Sequence, residues 1–237
     1  MEFDLIRVAR NMTRNLFGTD IVANNLANIN TTAFKRDNTF SDSFIESLND
    51  VGAQRYTVFT QGDLNQTDNP LDLALTSGGF FMVETPSGPA FTRNGHFTVN
   101  DQGFMQTAQG YLLQGERGPV SVLSTDGTAG NIQVTDDGEI YLDKIFIDQL
   151  LIASIVNPEV LEKIGSNLYR VSDDSLVVQL DPGQFQVQQG VLEGSNVEPV
   201  SEMVSLIELQ RNFESSQRVI QAMDNILGKA TQLGKYR

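Results

Sequence analysis

Apolar positions in this chain follow two regimes. They recur at three- and four-residue steps at both ends, and in short alternating runs between glycine turns in the middle. From Val197 to Leu233 the stripe passes through Leu206, Leu209, Phe213, Ile220, Met223, Leu227 and Ala230, with Ser216 as a polar gap. Such heptad spacing predicts one long helix, about 55 Å at 1.5 Å per residue. Ser195, Asn196 and Pro199 supply its start signal. Met203, Val204 and Ile207 widen the apolar face near the start, which leaves room for more than one partner helix. A striped helix of this length is not stable alone in water and must bury against something. Two readings stay open: one arm of an ordinary bundle, or an assembly helix with partners elsewhere in the chain and in neighbouring copies.

Residues 3–29 repeat the pattern through Leu5, Ala9, Met12, Leu16, Thr19, Ala23 and Leu26, broadened by Ile6, Val8, Ile21 and Val22. Gly18 interrupts it at a cost of about 1 kcal/mol against alanine, which predicts a kink or weak point. This segment is the natural partner of the C-terminal helix, so the chain ends meet and the rest is an insertion. Asn28 to Thr32 reads as a helix C-cap and exit turn, because asparagine tolerates left-handed geometry. Residues 35–70 are polar with scattered Phe40, Phe44, Tyr56 and Phe59, and predict an extended arm. A short helix over Asp42–Leu48 and a strand over Arg55–Thr60 are expected within it.

From Leu71 to about Gly190 the period drops to two. Expected strands are Phe80–Glu84, Ala90–Thr92, His96–Asn100, Gly103–Thr107, Tyr111–Gln114, Val120–Leu123, Asn131–Thr135 and Glu139–Leu142. Asn94-Gly95, Gln109-Gly110, Asp126-Gly127 and Asp137-Gly138 mark turns between them. Leu150–Val156 reads as a core strand, Glu159–Ile164 as a short helix, and Tyr169–Val171, Leu176–Leu180 and Gln184–Gln188 as the closing strands. The fold class is therefore α+β: long N- and C-terminal helices packed as an antiparallel coiled-coil-like pair, with an inserted, mainly antiparallel β domain. The expected parts are a helix over 1–33, an arm over 34–70, the β domain over 71–192 and the second helix over 193–237.

Charge sharpens this division. The chain of 237 residues carries net charge −14. Residues 1–36 hold five basic and three acidic residues, residues 197–237 five of each, and the middle six basic against 22 acidic. Near-neutral ends are free to associate, while the acidic middle repels copies of itself and nucleic acid. No run of 18 apolar residues is present, so no membrane-spanning helix is expected. The N-terminus MEFDLIRVAR lacks the apolar region of a cleaved signal. With no cysteine, disulfides, thiolate catalysis and Cys-bound metals are excluded.

Catalytic readings are weak. His96 is the only histidine, and no Gly-x-Ser-x-Gly elbow accompanies it, so a strand histidine is the simpler account. Asp136-Asp137-Gly138-Glu139 and Asp173-Asp174 do not match EF-hand spacing, and acids beside glycine are what turns select. No cofactor and no enzyme activity are expected.

Several blocks in order carry a resemblance. Val22-Ala23-Asn24-Asn25-Leu26-Ala27-Asn28 followed by Thr-Thr-Ala-Phe34-Lys35 is one. Gln61-Gly62-Asp63-Leu64, then Asn69-Pro70-Leu71-Asp72-Leu73-Ala74-Leu75 and Gly78-Gly79-Phe80-Phe81-Met82-Val83, form another. Phe91-Thr92-Arg93-Asn94-Gly95-His96-Phe97 and Val191-Leu192-Glu193-Gly194-Ser195-Asn196-Val197, with Glu202-Met203, Gln210-Arg211 and Phe213-Glu214, complete the set. Together they resemble the flagellar basal-body rod and hook protein family over nearly the whole chain. The chain is short for a hook protein, and Leu112 to Val120 and Glu193 to Asn196 look most like the proximal-rod branch.

The resemblance implies an axial subunit of the basal-body rod, exported by the flagellum's own apparatus without a cleaved signal. It implies stacking that transmits torque and forms the export channel, with the terminal helices inside. Implied partners are copies of itself, other rod and hook proteins, the export apparatus and basal-body ring proteins. On this reading Leu5, Met12, Leu16, Leu26, Leu206, Leu209, Phe213, Ile220, Met223 and Leu227 pack subunits together. Asn24, Asn25, Leu26, Asn28, Phe34, Lys35, Ser195, Asn196 and Val197 carry the family motif. A distal-rod or other rod/hook subunit is the alternative within the family, and a β-domain binding module tethered by its helices is the competing class. Ala33 stands where the family has glycine, and because alanine avoids positive φ the exit turn is expected to differ locally.

Overall fold

A computed structural model describes residues 2–39, 55–123 and 130–234, with side chains from Ile6 to Ile226 apart from Glu159 and Asp174. The helix expected over Asp42–Leu48, Phe40, and the Asp126-Gly127 turn lie outside the described residues, as do the side chains of Leu5 and Leu227. Two long helices, α1 (Glu2–Ala27) and α2 (Pro199–Gly234), flank a series of short antiparallel strands in sequence. The chain divides into two units. Among the described residues the first contains 2–29, 36–39, 55–58 and 197–234, and the second contains 30–35, 59–123 and 130–196.

In the first unit α1 and α2 pack against each other in antiparallel fashion. Asn25 meets Glu202, and seven residues earlier on α1 Gly18 meets Leu209, seven residues later on α2. The stripe on α2 faces inward as its spacing predicts, with Leu206, Leu209, Phe213, Ser216, Ile220 and Met223 all half-buried. On α1 only part of the expected stripe is buried. Ile21 and Val22 are buried beside Gly18 and Asn25, Met12, Thr19 and Leu26 are half-buried, and Ala9, Leu16 and Ala23 are exposed. Gly18 marks the close approach. The Leu209 methyls lie 3.2 and 3.3 Å from where a Cβ at position 18 would stand, so the missing side chain admits Leu209. The helix runs unbroken through Gly18, and the expected kink is replaced by a close approach. Within the same unit, strand Asp37–Thr39 pairs with Arg55–Thr57.

The second unit is built on a sheet whose central strand is Phe80–Thr85, paired with Gly88–Thr92, Leu112–Gly115 and Ile152–Ile155. Alternation along this strand sends successive side chains to opposite faces. Phe81 and Val83 join one core with Leu73, Leu75, Phe97, Met105, Leu113, Ile140, Leu150 and Ile152. Phe80 joins a second core with Phe91, Ala153, Ile155, Leu161 and Tyr169. Both faces of the sheet are therefore covered. A three-stranded sheet follows the order Ile132–Val134, Glu139–Leu142, Ile145–Gln149.

Two expectations fail here. The helix over Glu159–Ile164 is instead a single 3-10 turn, Pro158–Val160, followed by strand Glu162–Gly165, which pairs with Leu168–Arg170. Ser166 and Asn167 at φ 53° and 57° give the left-handed turn that closes this hairpin, and pairing overrides the local helix signal. Val120–Leu123 forms no strand and contributes isolated bridges, at Ser121 to Phe104 and at Leu123.

Candidate functional site

The densest polar constellation in the second unit lies where the family-like blocks converge. Strand Val191–Glu193 pairs with Leu64–Gln66, and its alternation turns Val191 and Glu193 inward. Glu193 is 1% exposed, and its Oε1 accepts from both the Lys35 Nζ and the Gly62 backbone N–H, the latter at 3.0 Å. Its Oε2 faces the Arg93 guanidinium at 3.6 Å. Lys35, 0% exposed, also donates to Thr60 O at 2.7 Å. Arg93 donates to Ser77 O and Leu75 O at 2.9 and 3.3 Å, and its guanidinium lies 5.6 Å from the centre of the Phe80 ring. One buried carboxylate thus answers two buried cations. Burial pushes the Lys35 ammonium below its ordinary pKa, although Glu193 pulls it the other way, and burial likewise lowers that of Arg93. Gly62 is required by space, since a Cβ there would sit 2.3 Å from Gly194 O.

The exit turn is threaded into this cluster. The Ala33 N–H donates to Glu193 O at 2.8 Å, and the Asn196 N–H donates to Phe34 O at 3.2 Å. Asn196 Nδ2 reaches Thr60 O and Oγ1 at 3.1 and 3.0 Å. Ala33 has φ +54°, a left-handed conformation that costs a residue carrying a methyl group about 1–2 kcal/mol.

In the first unit Asn25 is the corresponding joint. Its side chain exchanges two hydrogen bonds with the Asp37 backbone at 2.9 and 3.0 Å, and Nδ2 lies 3.3 Å from Glu202 Oε2. The Arg36 guanidinium is 3.6 Å from Glu202 Oε1, and Thr57 Oγ1 donates to Asp37 Oδ1 at 2.7 Å. Asn25 and Glu202 are both buried, so one asparagine ties α1, α2 and residue 37.

The remaining sequence candidates fall as follows. Asn24 is exposed, Asn28 is half-buried with Nδ2 donating to Asn24 O, Ser195 is half-buried and Val197 is buried. Met12 and Leu26 are half-buried, and Leu16 is 51% exposed. His96 pairs through Nδ1 with Asp72 Oδ1 at 2.8 Å, and Asp72 also accepts from Thr67 and Asn69. The turn at Asp136–Glu139 is a hairpin connection, with Asp136 O accepting from Val187 N–H and Gly138 at φ +80°. Ser175 holds the Asp173 carboxyl below the usual range, through its side-chain hydroxyl first and its N–H second. Arg93, Glu193, Glu202, Asp37 and Asp72 were not singled out as site residues by sequence reasoning. The readable signal was Glu193, an acid on the same strand face as Val191.

Two family profiles match the chain. The one described as "Flagellar basal body rod FlgEFG protein C-terminal" covers residues 188–233, and the "Flagellar hook protein FlgE/F/G D1 domain" covers residues 74–142. The flagellar basal-body rod protein FlgG of Caulobacter vibrioides is 32% identical, covering 95% of this chain and 97% of that protein. The flagellar basal-body rod protein FlgF of the same organism is 35% identical over 87% of this chain and 86% of its own length. FlgG of Borreliella burgdorferi is 30% identical, over 95% and 96% respectively. This chain belongs to the flagellar basal-body rod protein family.

Proposed function

We propose that this protein is a structural subunit of the basal-body rod, not an enzyme, and that it polymerises through its terminal helices. The observation that carries this is the two-sidedness of α2. One face, through Leu206, Leu209 and Phe213, meets α1. A second face carries Val200, Met203, Val204 and Ile207, between 49 and 70% exposed. On a 100° wheel these four residues lie roughly 90–170° from the centre of the α1-facing stripe. A contiguous exposed apolar stripe marks a binding face, and the near-neutral charge of the ends allows like copies to approach. Helices from copies of this chain and from other rod and hook proteins cover it, so that the assembled helices carry torque and bound the export channel. The export apparatus and ring proteins complete its partners. The proximal-rod position is favoured by the higher identity to FlgF, and the distal position by the greater length matched in FlgG.

The test is incorporation of the tagged full chain into isolated basal bodies. Wild type should co-purify with them, and Met203→Asp/Ile207→Asp should not, with unchanged circular dichroism in the free chain. Normal incorporation of the double variant would remove the packing role of this face.

A further inference from the structure

The chain enters the second unit after Ile29, leaves it after Lys35, re-enters after Val58 and leaves again after Asn196. Residues 30–35 are therefore a six-residue excursion with first-unit residues on both sides. They add no strand to any sheet. Ala33, Phe34 and Lys35 are buried, and side-chain and backbone contacts other than strand pairing hold the segment. Asn167 Nδ2 donates to Thr32 O at 2.7 Å, and Lys163 Nζ donates to Lys35 O at 2.7 Å while lying 4.8 Å from the centre of the Phe34 ring. The Ala33 N–H bond to Glu193 O, the Asn196 N–H bond to Phe34 O, the Lys35–Glu193 ion pair and the Lys35 bond to Thr60 O add to these.

We propose that residues 30–35 are a detachable strap, closed by the Lys35–Glu193–Arg93 clasp, that opens as one body while the sheets stay paired. Three observations converge on this. The strap shares no strand ladder with the sheets, so its release breaks no strand pairing. Ala33 sits in a left-handed conformation that release relaxes. Glu193 holds both the strap, through Lys35, and the following segment, through Gly62, so a single carboxylate governs closure. The open strap gives the chain after α1 a free segment with an extended length of about 20 Å at 3.3 Å per residue. The α2 connection at Asn196 retains its hold on Thr60 when the strap opens. The device follows from the geometry of the second unit alone, and does not depend on the rod reading.

The test is native-state hydrogen exchange on the full chain, comparing strap-linked amides with sheet amides. Ala33 and Asn196 report the strap. Val120, which donates to Leu113 O, and Leu150, which donates to Gly138 O, report the sheets. In Glu193→Gln, Ala33 and Asn196 should exchange about a hundredfold faster, with Val120 and Leu150 changed by less than about threefold. Equal acceleration at all four, or none at Ala33, would overturn the proposal. Should Glu193→Gln not fold, Lys163→Met leaves the ion cluster whole and removes two strap contacts. It should accelerate Ala33 about tenfold without moving Val120, and parallel changes at both sites would again overturn the strap.

Discussion

The two units bury very different material. Among the described residues, the helical unit buries three apolar side chains, Ile21, Val22 and Val197, beside three polar ones, Asn25, Asp37 and Glu202. The β unit closes two apolar cores around one sheet, with Phe81, Leu73, Leu75, Leu113, Phe97 and Ile152 fully enclosed. A helix pair so thinly cored draws little stability from burial, since the favourable term scales with apolar area removed from water. The comparison teaches that the β unit is finished within the chain, whereas the helices present a face still to be covered.

The largest break in this contrast is expected from the β core. Phe81→Ala should destabilise by about 3–5 kcal/mol, because the ring is enclosed and stacks edge-on against Phe97. Denaturant unfolding followed by tyrosine fluorescence reads this, and a loss under about 1 kcal/mol would mean the sheet is not the stabilising centre. Next comes the clasp. Lys35→Met should cost about 3 kcal/mol by leaving Glu193 with only Arg93 and the Gly62 N–H, and Lys35→Met/Glu193→Leu should recover part of that loss. Denaturation midpoints of both variants check it, and a double variant worse than the single would contradict the pairing.

Smaller effects sharpen the helical side. Gly18→Leu should push α1 off Leu209 and speed helix exchange, while the unfolding midpoint of the β unit stays unchanged. Ala33→Gly should stabilise by about 1 kcal/mol, because relief of the left-handed strain outweighs the added freedom of the unfolded chain; a destabilised variant would show that the buried methyl group outweighs the strain. Met203→Ser with Ile207→Ser should leave the free chain within about 0.5 kcal/mol of wild type, and still weaken assembly by sedimentation.

Periodicity made both helices legible, because α2 keeps its heptad stripe from Leu206 to Met223 and α1 ends at Ala27, just before the Asn28–Thr32 turn. The face of α1 was legible only in part: Ile21 and Val22 are buried as apolar positions, but Gly18 and Asn25 join them in place of Leu16 and Ala23, because packing rewards closeness and hydrogen bonding, which a hydrophobic count does not register. Strands such as Glu139–Leu142 were readable from alternation and glycine turns. Leu73–Leu75, all buried, has no alternation to read, and Glu162–Gly165 exists only through its partner Leu168–Arg170. Among the site residues, Lys35 and Asn196 were marked by their motif. Glu193 stood in a quoted block without a role of its own, since its role arises from pairing with Lys35, Gly62 and Arg93, far away in sequence.

Amide exchange along the unassembled full chain tests the contrast between the units most directly. The account predicts that α1 and α2 exchange orders of magnitude faster than Val120 and Leu150, and gain protection only on assembly. Equal protection of helices and sheets in a proven monomer would contradict it, and would make the helical unit a finished domain in its own right.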